Sequence, residues 1–199
     1  LVPVPLTTAF SVPLRQAMLF NKVYGTEVIL MNVVRDSLLS KKLLGRDRQI
    51  YQNQRAEARL RCLAMKFFDG RIPEKVSIKI VNGPLISTIL KEAENIKSDL
   101  IIIKKAEKSK KPFDFYKSEN ADKLISEAVC PVLTISGDPT REKINDILIP
   151  VDIFKKTSNK VAWAISLARQ FGARLHIVSV MRMDLKPEDS MSFRKSKQI

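Results

Sequence analysis

The chain has very few of the residues that build metal centres and disulfide frameworks. Cys62 and Cys130 are its only cysteines, and His176 is its only histidine. Two cysteines cannot supply a disulfide framework or a cysteine-based metal site. The single histidine falls within a predicted strand, where it has no partners for a metal site or a histidine-based triad. The sequence also contains no Walker loop and no nucleophile elbow. We therefore expect no enzyme activity, and the predicted location is the reducing cytoplasm.

Long hydrophobic runs are absent as well, because no apolar stretch approaches the roughly 20 residues of a membrane span. Hydrophobic residues nevertheless make up 45% of the chain, which is enough for a core. The formal net charge of +14 favours acidic partners such as nucleic acid, phosphorylated ligands or anionic lipid headgroups. Charge governs association rather than fold, and a basic solvated surface is the simpler interpretation.

Glycine is scarce too, but two of the glycines mark an internal repeat. Residues 1–34 align without a gap on residues 148–181. The first copy has an apolar run containing a proline, Ser11 at a helix start, Gly25 at the helix end and a second apolar run; the second copy has the same features 147 positions later. A serine N-cap opens such a helix and a left-handed glycine ends it. The pattern predicts a strand, a helix and a strand in each copy.

The rest of the first copy alternates strands with helices. Helical spacing is present in residues 46–68, in the stretch after Pro84 and in residues 121–128. Alternating strands and helices predict an α/β fold with a mostly parallel sheet and right-handed crossovers. We predict a doubly wound, five-stranded parallel sheet in the order 3-2-1-4-5, followed by the start of a second copy. The three later strands are predicted at Val76 to Val81, Asp99 to Ile103 and Pro131 to Ile135.

The predicted domains are residues 1–138 and residues 142–199. The second copy is cut short, and a lone strand, helix and strand would leave a half-covered sheet edge. We therefore expect the chain to be a fragment, or the ordered part, of a longer protein.

The order of motifs in this chain resembles that of the universal stress proteins. The family's first strand, its late "ADLIV" strand and its closing "CPVLVV" strand have counterparts here. They are Leu1-Val2-Pro3-Val4, Ser98-Asp99-Leu100-Ile101-Ile102 and Cys130-Pro131-Val132-Leu133-Thr134-Ile135. The resemblance covers nearly all of residues 1–136 and the opening of the second copy, and it implies a tandem member of the family.

Nucleotide-binding members carry a glycine-rich loop whose backbone amides approach phosphate oxygens. Here the three glycine positions of that loop are Lys104, Glu107 and Lys117, and only Ser118 matches. The position of the aspartate that closes the first strand is Pro5. We therefore predict that the first domain has a degenerate ATP site and binds no nucleotide.

The second copy keeps more of the nucleotide pattern. Pro150, Val151 and Asp152 match the end of the first strand, and Val180 matches the valine that faces adenine in the family. The resemblance thus implies adenosine contacts in the second domain only, with ATP or AMP as the candidate ligand. Asp152 has an alternative role as a carboxylate near the start of a helix.

Two classes of function remain open. The first is a non-enzymatic universal stress protein that acts as a cytoplasmic stress-response or regulatory module through protein contacts. The second is a basic module that binds nucleic acid or an anionic membrane surface; a cytosolic domain of a larger transporter is a variant. The strand Val132 to Ile135 is a predicted edge for self-association or for intramolecular pairing of the two domains.

Overall fold

The computed structural model describes residues 1–7, 10–35, 45–104, 118–136, 143–151 and 158–179. The chain divides into two compact units, residues 1–142 and residues 143–199. Among the described helices, none combines the length and the apolar character that a bilayer span needs.

The first unit alternates strands and helices throughout its described residues. Each later strand is preceded by a helix, as the periodicity predicts. The elements are β1 (Val2–Pro3), α1 (Ser11–Tyr24), β2 (Val28–Val34), α2 (Gly45–Phe67), β3 (Val76–Asn82), α3 (Leu85–Asn95), β4 (Ile101–Lys104), α4 (Ser118–Glu127) and β5 (Val132–Ile135).

All strand pairs of the first unit are parallel, so the predicted α/β fold is confirmed. β2 lies between β1 and β3, and β4 pairs with β5. The carbonyl of Leu1 accepts a hydrogen bond from the Ile102 amide at 2.9 Å, and the Leu1 nitrogen donates to the Leu100 carbonyl at 2.8 Å. These bonds place β4 beside β1, the neighbour that the order 3-2-1-4-5 requires, although the described strands form two ladders rather than one.

The sheet is covered on both faces by apolar side chains. Successive residues of a strand point to opposite faces, so Leu30 and Met31 of β2 enter different clusters, and both are fully buried. Leu30 joins the cluster that contains residues of α1 and α2. Met31 joins the cluster that contains residues of α3 and α4. The long apolar runs of the sequence are therefore strands buried on both sides.

The predicted serine N-cap of α1 is wrong. Ser11 is the first helical residue, and Phe10 is the N-cap, with φ −64°, ψ −25° and no side-chain capping bond. The Phe10 amide donates to the Thr7 carbonyl at 3.2 Å. The Phe10 ring is buried, with an edge-on contact to the ring of Phe67. Apolar packing thus fixes this helix start.

The second unit contains a strand, a helix and a strand among its described residues. They are β6 (Asp146–Val151), α5 (Ser158–Phe171) and β7 (Arg174–Ser179), and the two strands pair in parallel. Gly172 after α5 has φ 61°, and Gly25 after α1 has φ 66°. Both glycines take the left-handed conformation that ends a helix. The strand, helix and strand predicted from the repeat are confirmed in both copies.

Candidate functional site

An open cleft of about 700 Å³ lies at the carboxyl ends of β1 and β2 in the first unit. Doubly wound sheets bind ligands in crevices at the carboxyl ends of their strands, since the connecting loops diverge there. The volume falls within the range of small-molecule sites. The cleft is lined by Pro5, Leu6, Asn32, Val33, Val34, Arg35, Gln52, Arg55, Ala56 and Arg59.

Asn32 forms part of this cleft between the two strand ends. It is only 7% exposed, and its Nδ2 donates a hydrogen bond of 2.8 Å to the carbonyl of Val4. The bond ties the end of β1 to the end of β2 and satisfies a carbonyl that has no partner in the ladder. Sequence reasoning missed Asn32, although an amide inside the apolar run of β2 was a visible signal.

One wall of the cleft is a face of α2. Gln52, Arg55, Ala56 and Arg59 line it, and their spacing of three or four residues puts them on one side of the helix. The Nε of Arg59 donates to the carbonyl of Leu6 at 3.0 Å. This bond connects α2 to the segment that follows β1. Sequence reasoning found the apolar stripe of α2 but missed the basic stripe beside it.

Three arginines line the cleft, Arg35, Arg55 and Arg59, and none of the described residues that line it carries a carboxylate. Across the part of the chain that the structure describes, no ion pair neutralises these three guanidinium groups. Arg61 of the same helix, by contrast, pairs with Glu57 at 3.4 Å. The cleft can therefore attract an anion by charge and hold it by the fork of donors that each guanidinium provides.

The predicted phosphate loop starts after β4 and ends at α4. Lys104 is the last residue of β4 and Ser118 the first of α4; Glu107 and Lys117 lie outside the described residues. The crevice that Lys104 lines between α3 and α4 measures about 10 Å³. That is about the volume of one water-sized probe, so this crevice has no room for a phosphate group.

The candidate contacts of the second copy are only partly described. Pro150 is exposed and Val151 half-buried at the carboxyl end of β6, where they pair with Val178 and Ser179 of β7. Asp152 and Val180 lie outside the described residues. The nucleotide site implied for this copy stays a prediction.

A charged cluster lies at the opposite end of the same strand pair. Oδ1 of Asp146 is 2.9 Å from Nε2 of His176 and 3.0 Å from Nε of Arg174. The hydrogen bond with His176, together with the neighbouring Arg174, holds the pKa of Asp146 below its usual range. All three side chains are exposed, so we interpret the cluster as a cross-strand pairing of polar and charged side chains. It gives His176 a structural partner that sequence reasoning missed.

The two cysteines differ in exposure. Cys62 is exposed on α2, and Cys130 is half-buried just before β5. Burial raises the pKa of the Cys130 thiol, which keeps it in the less reactive protonated form. This environment fits a packed residue rather than a nucleophile. Within the described ranges, no three histidine, cysteine, aspartate or glutamate side chains are grouped as a metal site would need.

Comparisons with known proteins agree with this fold. The model of the universal stress protein family matches residues 1–136. A universal stress protein from Archaeoglobus fulgidus has a TM-score of 0.67 at 18% identity, over 98% of this chain and 70% of that one. A putative universal stress protein from Pseudomonas aeruginosa has a TM-score of 0.55 at 20% identity, over 98% and 65%.

A universal stress protein from Lactobacillus plantarum matches at a TM-score of 0.52 and 16% identity, over 67% of this chain and 95% of that one. At such identities the solved structures establish a likeness of fold alone. Among curated protein sequences, none matches significantly.

Proposed function

The chain belongs to the universal stress protein family, and from this membership we propose that it is a non-enzymatic regulatory module of the stress response. It works through contacts with other proteins in the cytoplasm. Its first unit binds no adenine nucleotide, and ATP or AMP is the candidate ligand of its second unit. The low cysteine content, which suits a reducing compartment, supports the location.

The observation that carries this proposal is the replacement of the phosphate-loop glycines by Lys104, Glu107 and Lys117. A loop holds phosphate when several backbone amides point at it, and glycine permits the conformations and the close approach that this needs. No glycine occurs between Gly83 and Gly137. Lysine side chains add charge, but they do not replace preorganised amides. Pro5 also stands at the position of the aspartate that closes the first strand in nucleotide-binding members.

We expect the first unit to bind neither ATP nor AMP at millimolar concentration. Calorimetric titration of the whole chain tests this, together with an Asp152→Ala variant that removes the best-matching contact of the second copy. Any nucleotide binding should disappear in Asp152→Ala. Micromolar binding that survives Asp152→Ala would place the nucleotide in the first unit and contradict the proposal.

Self-association is the second part of the proposal. The Ile101 amide donates to the Pro131 carbonyl at 3.0 Å, so the backbone of Pro131 faces β4. Neighbouring residues of a strand direct their hydrogen-bonding groups to opposite sides. The amides of Val132 and Thr134 therefore point away from β4, and no other described strand pairs with β5. Such an edge is a template for a strand of another copy.

We expect the chain to dimerise through this edge. Thr134→Pro removes one outward amide and leaves the bonds toward β4 in place, because proline is tolerated on an edge strand. Light scattering should then record a shift from dimer to monomer. Thr134→Ala keeps the amide and serves as the matched control, which should remain dimeric. A monomeric parent chain, or equal effects of both variants, would rule out β5 as the interface.

The alternative function is a basic module for nucleic acid or an anionic membrane surface, and the net charge of +14 is the observation that favours it. Electrostatic binding to a nucleic acid weakens steeply as salt rises, because counterions are released on binding. A titration with single-stranded DNA at two salt concentrations distinguishes the alternatives. Tight binding at low salt that is lost at physiological salt would favour the basic module.

A further inference from the structure

We infer that the outer face of α2 is a docking surface for an anionic lipid bilayer. This face is the side of the helix opposite its buried residues, and its centre is formed by Tyr51, Ala58, Cys62 and Met65, all of them exposed. A bilayer contact here would be an addition to the protein contacts proposed above. It requires neither nucleotide binding nor the β5 edge, so its failure would leave those proposals untouched.

Apolar side chains form a line along the centre of this face. Tyr51, Ala58 and Met65 are spaced by seven residues, which is close to two helical turns and places them one above the other. Tyr51 is 63% exposed and Met65 is 42% exposed. On its other side the helix buries Leu60 and Ala64 in the core of the first unit. The exposed line is therefore a second apolar stripe, which the core does not use.

Basic side chains flank this apolar line on both sides. A rotation of about 100° per residue puts Arg61 on one side of the line and Arg48 and Lys66 on the other. The exposed charged residues of α2 are basic at Arg48, Arg55, Arg59, Arg61 and Lys66 and acidic at Asp47 and Glu57. Each lysine or arginine near an anionic bilayer adds to the attraction. An apolar strip with basic flanks is typical of helices that lie in the membrane interface.

The apolar line favours a bilayer over a nucleic acid. Single-stranded nucleic acids are held by cations and by aromatic rings that stack on the bases, whereas Cys62 and Met65 at the centre of the face can do neither. A bilayer accepts every side chain of the face. Apolar groups enter the acyl boundary, tyrosine is favoured at the interface, and the long basic side chains extend to the headgroups.

A second copy of the chain fits this face poorly. The exposed residues of α2 include five basic and two acidic side chains, so two such helices in contact would repel each other. An anionic bilayer supplies negative charge along the whole face instead. From Arg48 to Lys66 the helix extends over about 27 Å, and a flat surface can contact all of this length at once.

Co-sedimentation of the whole chain with vesicles tests the inference. The chain should bind vesicles made of equal parts phosphatidylserine and phosphatidylcholine, and bind vesicles of phosphatidylcholine alone much more weakly. Lys66→Ala should lower the partition coefficient by about fivefold, the loss for one basic residue near an anionic surface. Tyr51→Ser should also lower it by about fivefold, because the ring no longer enters the interface.

The matched controls are Lys91→Ala on α3 and Ile125→Ser on α4. They make the same kinds of change at exposed positions, on the helices that cover the opposite face of the sheet. Each should leave the partition coefficient within about twofold of the parent, and circular dichroism checks that all four variants fold. Equal losses in the controls and the α2 variants would overturn the inference. Equal binding to both kinds of vesicle, or no binding to either, would overturn it too.

The exposed thiol of Cys62 provides a local readout of insertion. A polarity-sensitive fluorophore attached there, in a Cys130→Ala background, should emit at shorter wavelength when the anionic vesicles are added. An unchanged emission from vesicle-bound chain would show that another face holds the bilayer, and would overturn the inference. A short single-stranded oligonucleotide that displaces the chain from the vesicles, and whose binding is weakened by both Tyr51→Ser and Lys66→Ala, would assign the face to nucleic acid instead.

Discussion

Replacing Leu30 by alanine is expected to lower the free energy of unfolding by about 2 to 5 kcal/mol. Leu30 lies in the middle strand of the β1-β2-β3 ladder, opposite Val2 and Ile78. Its side chain is 0% exposed and belongs to the cluster that also contains Leu14 and Leu60. The loss combines the transfer free energy of the removed methyl groups with the cavity that the surrounding strands and helices cannot close.

Urea denaturation of the whole chain, followed by circular dichroism, measures this loss. Ile125→Ala is the control, because Ile125 is 48% exposed on α4 and its truncation should cost less than about 1 kcal/mol. Similar losses for the two variants would mean that the sheet face around Leu30 is not the centre of the core.

The fold was predictable because its signals are local. A run of apolar residues with the length of a strand is visible without tertiary information, as in β2 and β4. The left-handed turn at Gly25 needs only that glycine, and the same turn recurs at Gly172. The constant spacing of equivalent residues in the two copies reveals the strand-helix-strand repeat, because each such unit is formed by residues that are close in the sequence.

The sequence-based predictions failed where tertiary contacts determine the local structure. The helical spacing of residues 46–68 does not show which face of α2 is buried: Ile50 is 53% exposed, while Ala56, Leu60 and Ala64 are buried. Only the position of the sheet determines which stripe of a long helix turns inward, and the sequence offers more than one apolar stripe. The helix start at Phe10 is another such case, because burial of its ring replaces a side-chain cap.

The cleft could not be predicted from sequence for the same reason. Its residues come from three separate segments, and only the sheet brings Leu6, Arg35 and Arg59 to one place. The family pattern directed attention to the loop after Lys104 and to Pro5, and only Pro5 lines the cleft. The net positive charge was interpreted as a solvated surface, yet three of the arginines converge where a doubly wound sheet binds ligands.

Gly83→Ala is expected to lower the free energy of unfolding by about 1 to 3 kcal/mol. Gly83 follows β3 with φ 147°, and a Cβ at this position would lie 2.5 Å from Oγ1 of Thr88. Thr88 is only 8% exposed in the first turns of α3, so it has little room to move away. The Gly83 amide also donates to the carbonyl of Val34 at 3.1 Å, so a displaced turn would pull on a residue that lines the cleft.

Two further variants separate the contact from the backbone strain. Gly70 has φ 100°, and a Cβ added there would meet no atom within 4 Å, so Gly70→Ala carries strain alone and should cost less than Gly83→Ala. Adding Thr88→Ala to Gly83→Ala should recover part of the loss, and the double-mutant cycle gives the part due to the contact. An equal cost at Gly70, or no recovery in the double variant, would show that the clash with Thr88 is not the cause. In that case the loss of stability would come from the unusual φ of Gly83. The turn would then be coupled to Val34, and so to the cleft, by its backbone conformation rather than by the packing of Thr88.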